Sequence, residues 1–372
     1  MRICVVTPRF IVSGVSLAQV RFARALASEG HEVDLVVGRV DPHLTLPDAP
    51  GVRLIVLDRP NVKSMLLPLW KYLRIDKPDV VFSAEDHMNA IVLLAAILAR
   101  SKAKISGSCR VTPFDTYSNV PFTKRWLLKH VIRAVTWRAD ALTCVSKDMV
   151  DQYRQVFRSA PHVCVYNIVD DVWSRKRIEE RVEDEWLVRK DLPVLVAAGT
   201  LAPWKGFDDL IRAVAELWRN RRKVRLMILG EGPMRPELQS LINELGMADC
   251  IRLVGSVENP LKYFARADVF VLSSKVEGLP NVMVEAMMCG CTPVATDCPT
   301  GPREILEGGR FGYLVPVGDT RALAAGIEQA LDRPVSQELL AEAVRPFEMK
   351  TVLEQHFNML DVESVPASAQ QT

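Results

Sequence analysis

Residues 269–290 read VFVLSSKVEGLPNVMVEAMMCG, and this stretch predicts a strand, a loop and a helix in succession. The apolar run at 269–272 suits a buried strand. Pro280 stands where a helix can begin without losing a hydrogen bond, and Gly290 stands where a helix can end. A helix is therefore predicted from about Asn281, with a polar loop between it and the strand.

The same alternation of buried strand and helix extends along the chain in both directions. In the first half the predicted strands are residues 3–7, 33–37, 53–56, 80–83, 104–107, 141–145 and 163–166. In the second half they are residues 194–198, 225–229, 251–254, 269–272, 292–295 and 313–315. Such alternation is typical of parallel sheets covered by helices on both faces. The predicted fold class is α/β, with two Rossmann-like doubly wound domains facing across a cleft.

A charged segment separates the two predicted domains. Residues 171–192 are dense in charge and have little apolar spacing, so they are predicted to form a surface linker. The predicted N-terminal domain is residues 1–170, and the predicted C-terminal domain is residues 193–345. Residues 346–361 are predicted to form a helix that packs back on the N-terminal domain, and residues 362–372 a disordered tail.

The composition narrows the class of protein. The 372 residues include 47 basic and 45 acidic ones, a balance that argues against a dedicated nucleic-acid binder. Residues 1–170 contain 23 basic and 15 acidic residues, so the first half is basic and the second acidic. No apolar run is long enough for a signal peptide or a membrane span, which predicts a cytoplasmic protein. The eight cysteines suit reduced core thiols, with a metal site at Cys289 and Cys291 as the alternative.

Two glutamates flank the predicted start of the helix at Asn281. The free amides of Asn281, Val282 and Met283 would form an anion site suited to phosphate. Glu277 and Glu285 lie on either side of it, and carboxylates beside a phosphate are favourable when they accept hydrogen bonds from hydroxyls. A ribose or hexose offers hydroxyls in pairs, so the pattern predicts a nucleotide-sugar site. An acidic first turn with a solvated helix face is the alternative.

Three further loops follow predicted strands. The segment GTLAPWKGF at 199–207 places Lys205 where it could neutralise a diphosphate leaving group, with a surface lysine as the alternative. The segment GEGP at 230–233 predicts a turn; it is not a dinucleotide fingerprint, because Arg235 stands where a glycine or alanine belongs. In the loop 13–16, Gly14 could admit a phosphate at a helix N-terminus.

The pattern S-x-x-E-G-L-P-N-V-x-x-E-A-M, preceded by G-x-L-x-x-x-K-G-F and G-E-G-P in that order, resembles glycosyltransferase family four. The match covers roughly residues 1 to 360. It implies the GT-B fold and retaining transfer from a sugar nucleotide, with the leaving diphosphate acting as base. The segment CPTGPRE at 298–304 is similar to the subgroup that moves N-acetylhexosamines or related sugars onto lipid-linked glycans.

The resemblance implies a role for each matching residue. Glu277 would contact hydroxyls of the donor sugar, and Glu285 would bind the ribose. Asn281 and Val282 would offer amides to the sugar or diphosphate. Lys205 would bind the diphosphate, and the backbone of Val257 would meet the base. The predicted donor-binding set is completed by Gly14, Thr200, Glu231, Gly278, Leu279 and Pro280.

Two positions depart from the family's usual pattern. Thr200 stands where an arginine is usual, so one positive charge at the leaving phosphate is missing. Arg110 stands where many members carry a histidine, and it is predicted to face the donor or the acceptor, with a surface arginine as the alternative reading and His87 as another candidate. The predicted catalytic residues are Glu277, Lys205 and Arg110.

A basic amphipathic segment extends from Lys124 to Arg138. Its basic residues alternate with Trp, Leu, Ile and Val at helical spacing, as in helices that lie at an anionic lipid surface. An ordinary core-packed helix with a basic outer face is the alternative. Relatives with lipid-linked acceptors dock through the N-terminal domain. The resemblance therefore favours the prediction that this helix binds the inner face of the membrane.

The predicted function is a hexosyltransferase. It would move a hexosyl or N-acetylhexosaminyl group from a nucleoside diphosphate sugar, UDP above all, to a glycan or lipid-linked acceptor in cell-surface polysaccharide or glycoconjugate assembly. The nucleotide sugar is a co-substrate, no cofactor or metal is expected, and nucleic acid is not a predicted partner. The alternatives are a non-catalytic nucleotide-sugar-binding subunit of a glycan assembly complex and a sugar-nucleotide epimerase or hydrolase on the same fold.

Overall fold

A computed structural model describes residues 1–10, 14–41, 49–157 and 162–362, in which thirteen strands form two separate sheets. These residues divide into two compact units. The N-terminal unit contains Met1–Ile168 and the segment from Met349 onward, and the C-terminal unit is Val169–Glu348. Ser13 and residues 363–372 of the predicted disordered tail lie outside the described residues.

The N-terminal unit has seven parallel strands in the order β3-β2-β1-β4-β5-β6-β7. Two apolar clusters lie on opposite faces of this sheet, as buried parallel strands require. Its strands are β1 Arg2–Thr7, β2 Glu32–Val37, β3 Val52–Val56, β4 Val80–Ala84, β5 Lys104–Cys109, β6 Ala141–Cys144 and β7 His162–Cys164. Its first helices are α1 Gly14–Ser28, α2 Leu66–Ile75, α3 Asp86–Ala99, α4 Pro113–Thr116, α5 Lys124–Val135 and α6 Lys147–Val156.

The C-terminal unit has six parallel strands in the order β10-β9-β8-β11-β12-β13. These strands are β8 Val194–Ala198, β9 Arg225–Leu229, β10 Ile251–Gly255, β11 Val269–Leu272, β12 Thr292–Thr296 and β13 Tyr313–Val315. The helices are α7 Val172–Ile178, α8 Glu185–Val188, α9 Phe207–Arg219, α10 Arg235–Glu244, α11 Leu261–Phe264, α12 Asn281–Met288, α13 Pro302–Ile305, α14 Thr320–Asp332 and α15 Gln337–Val344.

The predicted fold class is confirmed, since both units are doubly wound α/β sheets. Each of the thirteen predicted segments coincides with an observed strand to within two residues. The agreement has a physical cause: strands buried on both faces are continuous apolar runs, which stand out from the amphipathic helices between them.

The prediction of a surface linker at 171–192 is wrong. This segment contains α7 and α8, and Val182, Trp186 and Leu187 are buried against Val194 and Met227 of the C-terminal sheet. The buried apolar residues are difficult to recognise in the sequence, because charged residues that face solvent outnumber them in the same segment. Arg252 on the strand β10 also covers the Trp186 ring, since its guanidinium lies 4.0 Å from the ring centre.

The last described helix, α16, extends from Met349 to Leu360 and belongs to the N-terminal unit. Val352, Leu353, Phe357 and Leu360 join the apolar cluster that contains β1 and β2. The observed helix begins three residues after the predicted start at 346, because Arg345–Phe347 forms a separate 3-10 turn. Among the described residues, no helix combines the length and the apolar character that a bilayer crossing requires.

Candidate functional site

The predicted donor-site loops lie at one edge of the C-terminal sheet. Because all six strands are parallel, the loops that follow β8, β9, β10 and β11 leave the sheet at the same edge. The strand order reverses between β8 and β11, and doubly wound sheets bind ligands at such a switch point. The loop after β8 contains Lys205, and the loop after β11 contains Glu277.

Lys205 and Glu277 form an ion pair at this switch point. The ammonium Nζ lies 2.6 Å from Glu277 Oε1, and the side chains are 16% and 11% exposed. The Ser274 hydroxyl donates a second hydrogen bond of 2.6 Å to the same oxygen. The other carboxylate oxygen, Oε2, has no hydrogen-bond partner among the described residues. The pair can therefore offer one acceptor oxygen and further ammonium donors to a ligand.

A glycine positions Lys205. Pro203–Lys205 forms a 3-10 turn, and Gly206 follows in the left-handed conformation with φ of 62° before α9 begins. A Cβ at Gly206 would lie 2.1 Å from the carbonyl oxygen of Ser273. The Ser273 hydroxyl also donates a 2.9 Å hydrogen bond to the carbonyl of Lys205. The lysine loop is thus held directly against the end of β11.

We expect Gly206→Ala to lower the free energy of unfolding by about 2 kcal/mol more than the control Gly246→Ala. Both glycines have a positive φ, but a Cβ at Gly246 would meet open space. Both substitutions therefore carry the cost of a left-handed alanine, and only Gly206→Ala must displace the Ser273 backbone. Urea unfolding measures the difference, and equal losses for the two variants would contradict the close approach of Gly206 to the Ser273 carbonyl.

The loop after β12 supports the Glu277 loop. The Thr300 hydroxyl lies within hydrogen-bond distance of the carbonyls of Glu277 and Gly278, at 2.7 and 2.8 Å. The Glu277 amide donates to the carbonyl of Pro299 at 2.9 Å. Ser274 and Thr300 were not predicted as site residues. The Thr300 contacts join loops that follow two different strands, and the Ser274 contact depends on the conformation of the loop after β11.

The glycines at 230–233 allow two loops to approach closely. A Cβ at Gly230 would lie 2.0 Å from the carbonyl of Gly199, and one at Gly232 would lie 2.5 Å from that of Leu201. The Leu201 amide donates to the carbonyl of Glu231 at 2.9 Å. The predicted turn therefore fixes the loop that leads to Lys205. The side chain of Glu231 is 48% exposed and pairs with Arg235 at 2.8 Å.

The prediction of three free amides at the start of α12 is wrong for two of them. The amide of Asn281 donates to the carbonyl of Leu279, and that of Met283 donates to the carbonyl of Pro280, each at 2.9 Å. The cause is the tight turn 279–280, which brings its own carbonyls to the helix start. Of the three, this leaves the amide of Val282 as the candidate phosphate ligand.

The remaining predicted donor residues lie in the loops after the strands of the C-terminal sheet or in the helices α1 and α12. Thr200 is exposed, whereas Val257, Gly278, Leu279, Val282 and Glu285 are partly exposed and Pro280 is buried. Gly14 begins α1 in the other unit, and the space that a Cβ would occupy there is open.

Arg110 follows β5 at the carboxyl edge of the N-terminal sheet. Its Nε and Nη1 atoms are buried and have no hydrogen-bond partner among the described residues. Burial lowers the pKa of Arg110 to about 10, and burial together with the charge of Arg110 lowers the pKa of His356 on α16 to about 3. The charge of Glu85 acts on Arg110 from a distance, but no carboxylate of the described residues forms an ion pair with it, so the guanidinium favours the approach of an anion. The other candidate, His87, lies 3.0 Å from the Glu85 carboxylate.

The basic segment that begins at Lys124 forms α5 and then a 3-10 turn, Thr136–Arg138. Within α5 only Ile132 and Val135 are buried. Leu127 is 55% exposed, and Trp137 in the turn is 72% exposed. The helix therefore packs on the core through Ile132 and Val135, as the alternative predicts, but leaves other apolar side chains of the segment exposed.

Among the described residues, one group of side chains could hold a metal ion. The ligand atoms of Cys109, Cys144 and His162 all lie within 4.8 Å of one another, and the three residues are buried in β5, β6 and β7. Burial raises the pKa of the Cys109 thiol well above its usual value. Burial likewise raises the pKa of Cys289 to about 12. The group belongs to the N-terminal unit and is no part of the Lys205–Glu277 site.

Comparisons with known proteins agree with the fold and the loops. A family model described as "Glycosyl transferase 4-like domain" matches residues 13–167, and one described as "Glycosyl transferases group 1" matches residues 192–333. The structure of HepE from Anabaena in complex with UDP is similar, with a TM-score of 0.76 and 18% identity over 97% of this chain and all of that one. Both units together therefore have the GT-B fold.

Two relatives are similar to this chain in amino-acid sequence. The chain is 36% identical over 152 residues to the lipopolysaccharide core biosynthesis glycosyltransferase LpsE of Rhizobium meliloti, which covers 41% of this chain and 43% of that protein. It is 30% identical over 283 residues to the N-acetylgalactosamine-N,N'-diacetylbacillosaminyl-diphospho-undecaprenol 4-alpha-N-acetylgalactosaminyltransferase of Campylobacter jejuni, which covers 74% of each. With both halves matched by glycosyltransferase models and three quarters of the chain aligned to this enzyme, the chain belongs to glycosyltransferase family four.

Proposed function

We propose that this glycosyltransferase moves a hexosyl or N-acetylhexosaminyl group from a UDP-sugar to a lipid-linked glycan, with retention of configuration. The observation that carries the proposal is the Lys205–Glu277 ion pair at the switch point of the C-terminal sheet. The Campylobacter jejuni relative is named for a diphospho-undecaprenol-linked acceptor, which supports such an acceptor here. The UDP in the HepE structure supports a UDP donor.

Each partner of the ion pair has a separate task in this proposal. The ammonium of Lys205 neutralises the diphosphate as it leaves, in a site where the side chain is largely removed from water. Oε2 of Glu277 accepts hydrogen bonds from hydroxyls of the donor sugar. Ser274 and Thr300 hold the Glu277 carboxylate and its backbone in place.

Retention follows from attack on the face from which the diphosphate departs. The acceptor oxygen bonds to the anomeric carbon, the bond between that carbon and the diphosphate oxygen breaks, and the acceptor proton passes to the diphosphate. Lys205 supplies positive charge at the leaving group, so we expect turnover to persist in the presence of a chelator.

The experiment uses the full chain with UDP-, GDP- and ADP-linked sugars and a prenyl-diphosphate-linked glycan. Thermal unfolding against each donor identifies the nucleotide, because a ligand at 100 times its Kd stabilises the folded state by about 2.7 kcal/mol. Proton coupling at the new glycosidic bond reports its configuration. Stabilisation by GDP- or ADP-sugars alone would contradict the UDP assignment, and an inverted product would contradict retention.

The missing charge at Thr200 gives a separate prediction. Near this edge of the C-terminal unit, three other basic side chains of the described residues each face a carboxylate. Arg235 faces Glu231, Lys275 faces Asp208 and Asp209, and Arg303 faces Asp297. Lys205 also faces a carboxylate, but it lies at the switch point with a side chain largely removed from water, so in this proposal it neutralises most of the charge of the leaving diphosphate.

We expect Thr200→Arg to raise kcat about tenfold, because a charge-assisted contact contributes roughly 1.5–3 kcal/mol. Thr200 is exposed, so the longer side chain needs no repacking. Thr200→Gln is the control for size without charge. Steady-state kinetics with the UDP-sugar measures the change, and an unaltered kcat in Thr200→Arg would mean that the diphosphate is already neutralised.

We also propose that α5 brings the protein to an anionic membrane surface. Its basic residues Lys124, Arg125, Lys129 and Arg133 accompany apolar side chains that remain exposed. Such helices bind lipid through apolar burial and charge together. Co-sedimentation of the full chain with anionic vesicles at low salt tests this, and equal recovery with neutral vesicles would contradict it.

A further inference from the structure

Two adjoining pockets lie at the carboxyl edge of the N-terminal sheet. One has a volume of about 400 Å³ and the other about 590 Å³. Asn61, Val62 and His87 line both pockets, so the two share a wall. Neither pocket contains a residue of the Lys205–Glu277 site.

The smaller pocket is basic. Arg9, Arg39 and Arg59 line it, and each follows the end of a different strand, β1, β2 or β3. All three are exposed, and none has an acidic partner within ion-pair distance among the described residues. The one carboxylate in its lining, Glu85, is paired with His87 at 3.0 Å. Three uncompensated guanidiniums around one cavity suit a ligand with several phosphate oxygens.

The larger pocket is apolar. Ala90 and Ile91 of α3 face Leu127, Leu128 and Val131 of α5 across it. Leu127 is 55% exposed and Val131 is 36% exposed. Apolar side chains that line an open cavity gain free energy when a hydrocarbon group displaces the water. Lys63 and Lys124 add positive charge to the same lining.

We propose that the two pockets together bind the prenyl diphosphate of the lipid-linked acceptor. The diphosphate lies on Arg9, Arg39 and Arg59, and the first isoprene units lie between α3 and α5. The inference depends on the wall that the two pockets share, formed by Asn61, Val62 and His87. Because of this wall, an anion subsite and a hydrocarbon subsite lie side by side, as one amphiphilic molecule requires. A free nucleotide would leave the apolar pocket empty, and a membrane surface alone would leave the basic one empty. The inference rests on the lipid-linked acceptor of the proposed function.

Calorimetry on the full chain with three probes tests the proposal. Farnesyl diphosphate has both parts, inorganic pyrophosphate has only the anion, and farnesol has only the hydrocarbon. We expect farnesyl diphosphate to bind at least tenfold more tightly than either of the others. The double variant Arg39→Gln/Arg59→Gln should weaken farnesyl diphosphate and pyrophosphate at least tenfold. Leu127→Gln/Val131→Gln should weaken farnesyl diphosphate alone, down to the affinity of pyrophosphate.

Matched controls use residues outside both pockets. Lys102→Gln removes an exposed positive charge, and Ile75→Gln removes an apolar side chain that is 77% exposed; both should bind like the wild type. UDP affinity should be unchanged in every variant, because none of them alters a predicted donor-binding residue and Lys205 and Glu277 lie in the other unit. Equal binding of farnesyl diphosphate and pyrophosphate would overturn the proposal, as would pocket variants that bind like the wild type or competition by UDP. Farnesyl diphosphate binding without any sugar transfer would support this site and contradict the proposed function.

Discussion

Replacing Glu277 by glutamine is expected to lower kcat by two to three orders of magnitude. The amide keeps the size of the side chain but removes the charge that holds the Lys205 ammonium at 2.6 Å. Loss of one preorganised group that stabilises the charge of a transition state commonly costs about 10²- to 10³-fold in kcat. Lys205→Met should produce a loss of similar size, since the leaving diphosphate then lacks its cation.

The double variant separates a shared role from two independent ones. If Lys205 and Glu277 act as a unit, Lys205→Met/Glu277→Gln should lose about as much as either single variant. Asp332→Asn is the control, because it breaks an exposed ion pair with Arg222 of similar length at the end of α14. Steady-state kinetics at saturating UDP-sugar provides the measurement. A Glu277→Gln enzyme that retains turnover within threefold would remove the role proposed for this carboxylate.

Replacing Asp34 by asparagine is expected to lower the free energy of unfolding by about 3 kcal/mol at neutral pH. The Asp34 side chain on β2 is fully buried. Arg53 donates to it at 2.6 and 2.7 Å, and the Tyr72 hydroxyl donates at 2.5 Å. Arg2 lies 3.4 Å away. Asparagine would leave these donors without the negative charge that they surround.

The same contacts give this stabilisation a pH dependence. Burial alone would raise the pKa of Asp34, but hydrogen bonds from Arg53 and Tyr72 outweigh it and lower the pKa. A carboxyl whose pKa is lower in the folded state stabilises the fold above its unfolded value of about 4 and loses that effect as the pH falls. The difference between wild type and Asp34→Asn should therefore shrink below about pH 4.

Urea unfolding between pH 3 and pH 7 measures both effects. Glu32→Gln is the matched control, because Glu32 lies on the same strand, is 70% exposed and sits 3.6 Å from Arg2. It should change the free energy of unfolding by less than about 0.5 kcal/mol. A pH-independent difference for Asp34→Asn would contradict the ionised, paired carboxylate.

The predicted site could be located from sequence because its residues follow strands that are recognisable as continuous apolar runs. Lys205 follows β8 and Glu277 follows β11, and parallel strands bring such loops to one edge. Their direct contact could not be predicted, since it depends on Gly206 lying against the backbone of Ser273. The anion site at Asn281 was overpredicted for a related reason: sequence marks where a helix begins but not which amides the preceding turn already uses.

The α/β class, the strands, the family and the loops that hold the proposed site could all be predicted from the order of residues alone. Local patterning encodes these features, because burial on both faces of a parallel strand leaves a continuous apolar run. Two features depend on how the chain folds in three dimensions. Trp186 is buried within a charged segment, and Arg9, Arg39 and Arg59 line one pocket beside the apolar face of α5. These arrangements join residues from strands and helices distant in sequence, and the order of strands in the sheet is what brings them together.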